Sequence, residues 1–344
     1  RIVSLGDKDL NNKNLFIFKT PNFFLKIFYG FFSFLKLEPL QFGFFFSRQM
    51  KEYIAQNAKN YNLLFFYHIR SSQYLPKNFK GRAIIEMGDL YSQNYFQTFC
   101  TLNIYNPLKY IYLLESFLIK KIEYKIFRNF NKIILFSKNE IKKIPRTFKS
   151  KIFNIGLSVN FLKKEFSFLK KNNGILFIGN LRYLPNLLAV KDFIKNIFPL
   201  LQKKIPNSRF YIIGDIGKFS KFLLSFQKNV LFLGQRNNIN RYIKSSFCGL
   251  ANLKIATGVQ GKVFTYMSYG LPVVCSEKVS LNFKNNVISY KDNLDLIKKI
   301  IHLKKNKNLR NKFSKKSLVF IKKFSEKKIS LKYLDIVNFS KKLS

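Results

Sequence analysis

Short apolar runs alternate with longer amphipathic stretches along most of the chain. "NLLFFYHI" (Asn62 to Ile69), "RAIIEM" (Arg82 to Met87) and "KIILFS" (Lys132 to Ser137) are short and almost wholly apolar, the pattern of parallel strands buried on both faces. Before the last of them, "PLKYIYLLESFLIKKIEYKIFR" (Pro107 to Arg128) keeps apolar residues at helical spacing. A polar, basic stretch with a glycine turn, 153–172, reads as a linker. A second series follows: "GILFIGNL" (strand), "NLLAVKDFIKNIFPLLQKKIP" (helix), "SRFYIIGD" (strand), "KFSKFLLSF" (helix), "NVLFLG" (strand), "INRYIKSS" (helix), "FCGLANL" (strand), a helix within "ATGVQGKVFTYMSYG" and "LPVVCS" (strand). From Asn293 to Ser344 the chain is helical and strongly basic.

Alternation of this kind predicts α/β structure: an N-terminal Rossmann-like domain over 1–152, a second over 173–325, and a basic C-terminal helix or tail over 326–344. The length of 344 residues agrees with two domains. Two such domains facing across a cleft would bind a ligand at the C-terminal ends of their strands.

Charge changes the picture. With 62 Lys and Arg against 17 Asp and Glu, the formal net charge is +45, which favours phosphate groups, an anionic membrane surface or nucleic acid. A compositional origin competes: Lys, Asn, Phe and Ile are abundant throughout and Trp is absent, as in a chain drifting with an AT-rich genome. Nucleic acid is the weaker expectation, because the basic residues are spread out and no zinc-finger, RNP or helix-turn-helix pattern occurs.

Cys100, Cys248 and Cys275 stand far apart in apolar company and read as small buried hydrophobes in a reducing compartment. With only His68 and His302 beside them, no metal site is expected. "NFFLKIFYGFFSFLKLEP" (Asn22 to Pro39) is interrupted by Lys26 and Lys36, too short and too charged to span a bilayer. It reads either as a buried amphipathic helix or as one lying in a membrane interface.

The segment "TGVQGK" offers backbone N–H groups at the start of a helix, glycines for close approach at Gly258 and Gly261, and a cation at Lys262. This is a diphosphate cradle in outline; an ordinary loop packing on a sheet is the plainer reading.

"TGVQGKVFTYMSYGLPVV" resembles the donor-site signature of glycosyltransferase family 4, in the subgroup with the pattern GTG-[IV]-QNK-V-LEAMA-x-GLPVV. "ILFIGNLRYLPN" is similar to that family's G-x-[ML]-x-Y-x-PN entry into its second domain, and "NVLFLGQRNNINRYIKSS" to its base-reading segment. In the first half, "HIRSSQYLP" resembles H-x-[IV]-R-x-x-x-Y, and "IIEMGDLYSQNY" resembles D-x-x-D-x-x-S-x-x-Y. The helix "LLESFLIKKIEYKIFR" is similar to a paired-glutamate helix, although Glu115 and Glu123 read from their neighbours as a solvated or interdomain face. "RIVSLGDKD" looks like the family's second or third strand, so about 50 to 60 residues are expected to precede it, given usual βα unit lengths.

The resemblance implies a GT-B fold and a retaining transfer of sugar from a nucleotide-sugar donor to an acceptor hydroxyl, with no metal and no other cofactor. It places Gly179, Asn180, Arg182, Gly214, Gln235, Arg236, Gly258, Val259, Gln260, Lys262 and Thr265 at the donor. Following the strands of the first half, Asp89 and His68 are expected at the reacting centre and Arg70, with Ser92 and Tyr95, at the acceptor; the plainer readings are an N-cap for Asp89, a satisfied core histidine for His68 and an interdomain salt bridge for Arg70. Lys262 and Arg182 are the cations for the leaving diphosphate, Arg182 compensating for Asn180 where relatives carry Arg. Thr265 departs from the family, which has a glutamate there to hold the donor ribose; a hydroxyl supplies no charge-assisted bond.

The expected function is a hexosyltransferase of surface polysaccharide or lipopolysaccharide assembly, cytoplasmic and peripheral on the inner face of a membrane, with a lipid-linked saccharide acceptor. The alternative is a catalytically degenerate GT-B protein serving as a basic membrane- or nucleic-acid-binding scaffold. A nucleotide-sugar epimerase would need facing acid and base carboxylates, and no matching set is found.

Overall fold

The computed structural model describes residues 1–6, 14–159, 172–215, 217 and 227–338. The expected helix over 218–226, most of the expected linker and the last residues of the tail lie outside the described residues. The chain forms two compact units, Arg1–Asn154 and Ile155–Ser344.

Unit 1 holds a parallel four-stranded sheet of β3 (Leu63–Tyr67), β4 (Arg82–Gly88), β5 (Lys132–Leu135) and β6 (Ile152–Asn154), in that order. A separate parallel pair consists of β1 (Ile2–Leu5) and β2 (Leu15–Phe18). Ile84 and Ile85 of β4 and Ile133 and Ile134 of β5 are all buried, so successive side chains on both faces meet protein. Against this sheet pack α3 (Arg48–Asn57), α4 (Tyr91–Thr101) and the long α5 (Leu108–Asn129), which contributes Ile119, Ile122 and Ile126 to the core. A short α6 (Lys138–Ile141) follows β5, its start capped by the Ser137 hydroxyl.

The phenylalanine-rich segment forms α1 (Phe23–Leu35) followed by α2 (Leu40–Phe44). Asn22 caps α1, accepting from the Leu25 amide at 2.9 Å. The expectation of a buried amphipathic helix fails here, because only Gly30 and Ser33 of α1 are buried. A Cβ on Gly43 of α2 would lie 2.1 Å from the Tyr29 carbonyl oxygen, so the two backbones are in direct contact through small residues. Phe23 and Phe24 are 71% and 80% exposed. The helix buries its small side and turns its aromatic side outward.

Unit 2 is a six-stranded parallel sheet in the order β12 (Ile288–Tyr290), β11 (Val273–Ser276), β10 (Ser246–Ala251), β7 (Gly174–Ile178), β8 (Arg209–Ile213), β9 (Val230–Gly234). Its helices are α7 (Leu184–Asp192), α8 (Phe198–Lys204), α9 (Asn240–Ser245), α10 (Gly261–Ser268), α11 (Glu277–Ser280), α12 (Asn293–Lys305), α13 (Lys307–Ile321) and α14 (Glu326–Asn338). The chain builds outward from β7 to β9 on one side, then returns to β10 and builds to β12 on the other. This is the doubly wound order, and it reverses between β7 and β10.

Tyr266 of α10 locks that reversal. Its buried hydroxyl accepts from the Ile178 amide at 2.7 Å and donates to the Leu250 carbonyl at 3.3 Å, joining the C-terminal ends of the two strands. Room for the ring comes from Gly249, where a Cβ would stand 2.4 Å from the tyrosine ring. The pattern that this segment resembles has alanine at position 266, so the hydroxyl bridge belongs to this chain's own packing.

Replacing Tyr266 by Phe removes the bridge while keeping the ring, and leaves a buried amide without its acceptor. A loss of about 1–3 kcal/mol in urea unfolding is expected. An unchanged unfolding midpoint would show that the hydroxyl carries no such bond.

Candidate active site

In unit 2 the loops after β7 and β10 flank the switch point, and α10 starts directly behind the second loop. Gln260 occupies the N-cap position of α10 with no side-chain cap; its carbonyl takes the Val263 amide at 3.0 Å, and the Gly261 and Lys262 amides open the helix toward an anion. Gly258 is buried, and its carbonyl accepts from Asn282 Nδ2 at 3.1 Å; Val259 packs on the core. These two contacts fix the path of the loop into the helix.

Lys262 turns back toward β7. Its ammonium donates to Asn186 Oδ1 at 2.6 Å and lies 3.9 Å from the centre of the Phe177 ring. Burial lowers its pKa to about 7. Asn186 is buried and donates through Nδ2 to the Asn180 carbonyl, so it ties the cation to the Gly179–Asn180 turn. Asn186 belongs to the "PN" pair of the entry motif but is absent from the expected site residues; the motif was its signal.

The other expected donor residues fall into four settings. Gly179 and Gly214 serve close packing: Gly214 has φ of +140°, and a Cβ there would meet the Gly179 carbonyl oxygen at 2.0 Å. Arg182 is exposed and its Nε donates to Asp215 Oδ2 at 2.5 Å, so its charge is already answered by a carboxylate. That pairing requires the β7 and β8 loops to be adjacent, which sequence spacing does not reveal. Gln235 and Arg236 are exposed beyond β9, at the sheet edge. The Thr265 hydroxyl donates to the Gly261 carbonyl at 3.2 Å, a bond within its own helix.

In unit 1 the expected residues cluster at the C-terminal ends of β3 and β4. Asp89 follows Gly88, which takes φ of +77°. His68 follows β3 with φ of +70°, and its amide donates to the Glu86 carbonyl at 2.8 Å. Its Nδ1 accepts from the Arg70 amide at 3.3 Å, placing the ring proton on Nε2. Burial, with a contribution from Arg70, lowers its pKa to about 4, so near neutrality it is an uncharged hydrogen-bond donor. Its ring meets that of Tyr91 at 4.6 Å between centres. The Arg70 guanidinium donates to Gln41 Oε1 at 2.9 Å and stacks over Phe45 at 4.1 Å, held by α2 and the residue after it. Tyr95 packs against Tyr112.

Ser92 points into the core of unit 1. It is buried, its amide donates to Glu123 Oε1 at 3.0 Å and its hydroxyl to Glu123 Oε2 at 2.6 Å. The solvated face expected for Glu115 and Glu123 is thereby corrected. Both are buried, and Glu115 accepts from the Leu40 amide at the start of α2. A third buried carboxylate, Glu140, accepts from the Leu90 amide at 3.1 Å. Glu123 and Glu140 thus hold the turn that carries Asp89, a role absent from the sequence reading. Burial raises both pKa values; for Glu123 the value is about 7 despite its bonds from Ser92, and for Glu140 nearby Asp89 adds to the rise. Cys100 is exposed, correcting its expected burial, whereas Cys248 and Cys275 are buried. Among the described residues no three His, Cys, Asp or Glu side chains group as a metal site.

Residues 172–306 match the family model for Glycosyl transferases group 1. Unit 2 therefore carries a domain of that class. Comparison of the whole sequence with curated proteins finds no match. Solved structures show the same fold across both units. TarM of S. aureus, in a complex with fondaparinux, α-GlcNAc-glycerol and UDP, has a TM-score of 0.62 and 17% identity, over 84% of this chain and 58% of that one. This chain thus spans less than two thirds of the length of TarM. HepE of Anabaena, in complex with UDP-glucose, gives 0.66 and 11% identity, over 98% of this chain and 99% of that one. WaaG, a glycosyltransferase involved in lipopolysaccharide biosynthesis, gives 0.64 and 12% identity, over 96% and 88%. These likenesses establish the GT-B type of α/β fold.

The state of Glu123 is testable through pH. Its folded pKa of about 7 exceeds the ordinary 4.5, so between these values the unfolded chain releases a proton that the folded chain keeps. Stability therefore falls as pH rises through this window, by about 3 kcal/mol from this group. His68 acts in the opposite direction between its folded value of about 4 and 6.5, so the informative quantity is the difference between wild type and Glu123→Gln. Urea unfolding should show the variant gaining on wild type by about that amount from pH 4.5 to 7. Parallel pH curves would show an ionised Glu123.

Proposed function

We propose that the chain is a retaining glycosyltransferase of family 4, GTG-x-QNK-type subgroup, taking a nucleotide-sugar donor in unit 2 and a saccharide acceptor in unit 1. One observation carries the reading. The Lys262 ammonium stands at the end of β7, at the sheet's switch point, beside an uncapped helix start reached through a glycine loop. A nucleoside diphosphate meets backbone amides and a cation in one place there. The group 1 domain in the same residues supports it, as do the UDP and UDP-glucose named for TarM and HepE.

As the sugar leaves, charge develops on the diphosphate. Lys262, positioned by Asn186, answers it together with the first amides of α10, and we assign the exposed Gln235 and Arg236 to the nucleoside base. In unit 1, Asp89 stabilises positive charge at the reacting sugar, His68 donates from Nε2, and Arg70 binds an acceptor phosphate. The acceptor is lipid-linked, and the protein works at the inner face of a membrane in surface polysaccharide or lipopolysaccharide assembly. The process named for WaaG and the aromatic exposure of α1 support this setting. Among the described residues no helix is long and apolar enough to cross a membrane.

Thr265 favours one competing reading, a degenerate GT-B scaffold, because its hydroxyl is bonded within α10 and the charge of the family's glutamate is missing. Calorimetric titration with UDP-, GDP- and ADP-sugars separates the two. One donor should bind to the wild type, and Lys262→Ala should lose at least about tenfold in affinity, the value of a charge-assisted bond. Binding should also weaken as pH rises above about 7, because the bound diphosphate raises the Lys262 pKa and the complex then takes up a proton. A folded chain that binds no donor establishes the scaffold.

A further inference from the structure

Unit 1 contains a groove of about 920 Å³ beside α1 that the transferase site does not use. Its lining includes Gly81 and Ala83, at the start of β4, and Asn131, just before β5. Asp89 lies beyond the other end of β4, about 20 Å away at the usual strand rise. The groove thus opens at the N-terminal ends of β4 and β5, and it reaches toward the turn that carries Arg70 only through Ser72 and Gln73.

Its wall combines aromatic and aliphatic side chains, among them Phe32, Phe42, Phe46 and Ile126, with polar ones such as Gln73 and Asn131. Lys36, Lys51, Lys77, Lys80 and Lys125 also line it, against a single acidic residue, Glu38. All five lysines are exposed, and among the described residues none is engaged by an ion pair. A cluster of cations around a trough with hydrogen-bonding groups in its wall is complementary to the anionic head of an amphiphile.

The adjoining helix completes the surface. Phe28 and Phe32 of α1 line the groove, while Phe23, Phe24, Phe31, Phe34 and Leu35 are exposed beyond it. α1 carries Lys26 and is followed by Lys36, with no acidic residue in its length. An exposed aromatic face of this kind is costly in water and stable at the boundary of headgroups and acyl chains.

We infer that the lysine-rimmed groove behind α1 is a binding site for the anionic headgroup of a membrane phospholipid, with α1 laid into the bilayer surface beside it. The inference deepens the membrane setting proposed above and names its lipid chemistry. α2 also carries Gln41, the partner of Arg70, so the element packed against the lipid-facing helix is the one that positions the acceptor-side arginine.

Flotation of the full chain with phosphatidylcholine vesicles, with and without phosphatidylglycerol, tests it. Binding should be strong only with phosphatidylglycerol and should weaken with salt. Neutralising Lys77, Lys80 and Lys125 together with Gln should weaken it by about fivefold per lysine. Phe24→Ser with Phe31→Ser, at exposed positions that leave the core intact, should weaken it further at high salt, where the apolar contact remains. Equal binding to both vesicle types, or unchanged binding by the triple Gln variant, overturns the inference. So does a triple variant that loses only oligonucleotide or soluble glycerol phosphate while keeping its vesicle affinity. Nucleotide-sugar titration of the same variants keeps the outcomes apart: donor binding should be unaffected, and its persistence alongside failed flotation leaves the transferase reading standing.

Discussion

The reversal of strand order between β7 and β10 is the constraint on which unit 2 depends, and the Tyr266 hydroxyl is the bond that holds it. A doubly wound sheet must part its connections at one place, and the strand ends there lose neighbours on the connecting side. Here a side chain satisfies one amide and one carbonyl across that gap. Because Tyr266 lies one turn beyond Lys262 on α10, the bond that closes the sheet also fixes the helix that presents the cation. The strand-end bridge and the buried cation share one short element.

Unit 1 solves a comparable problem with buried carboxylates. Glu123 and Glu140 accept from the amides of Ser92 and Leu90, and thereby hold the turn after β4. Burying them is expensive in the ionised state, which is why their pKa values rise. The result is a rigid mount for Asp89 beside a neutral His68. α2 supplies a second mount, placing Gln41 and Phe45 on Arg70. The geometry around Asp89, His68 and Arg70 is thus set by neighbouring buried residues.

The two units distribute their apolar surface differently. In unit 2 the aromatics Phe193, Phe198 and Phe210 pack on one another within the core. In α1 of unit 1 comparable residues point outward, because Gly30 and Ser33 are the positions that let α2 approach. Helical periodicity identifies an apolar helix, but small residues are equally able to form the buried side. Which face is inside is decided by the neighbour.

The sequence by itself determined the alternation of strands and helices, the bounds of α5 to within a residue, and the loop-to-helix motif around Lys262, because these depend on local spacing and backbone chemistry. It also pointed through the "PN" pair toward Asn186 without assigning it a task. Tertiary structure alone decided the inward turn of Ser92, the burial of Glu115 and Glu123, the pairing of Arg182 with Asp215 and the exposure of α1. Each of these joins elements distant in the chain, and a hydrogen bond or a buried face is defined by its partner in space, which no local pattern contains.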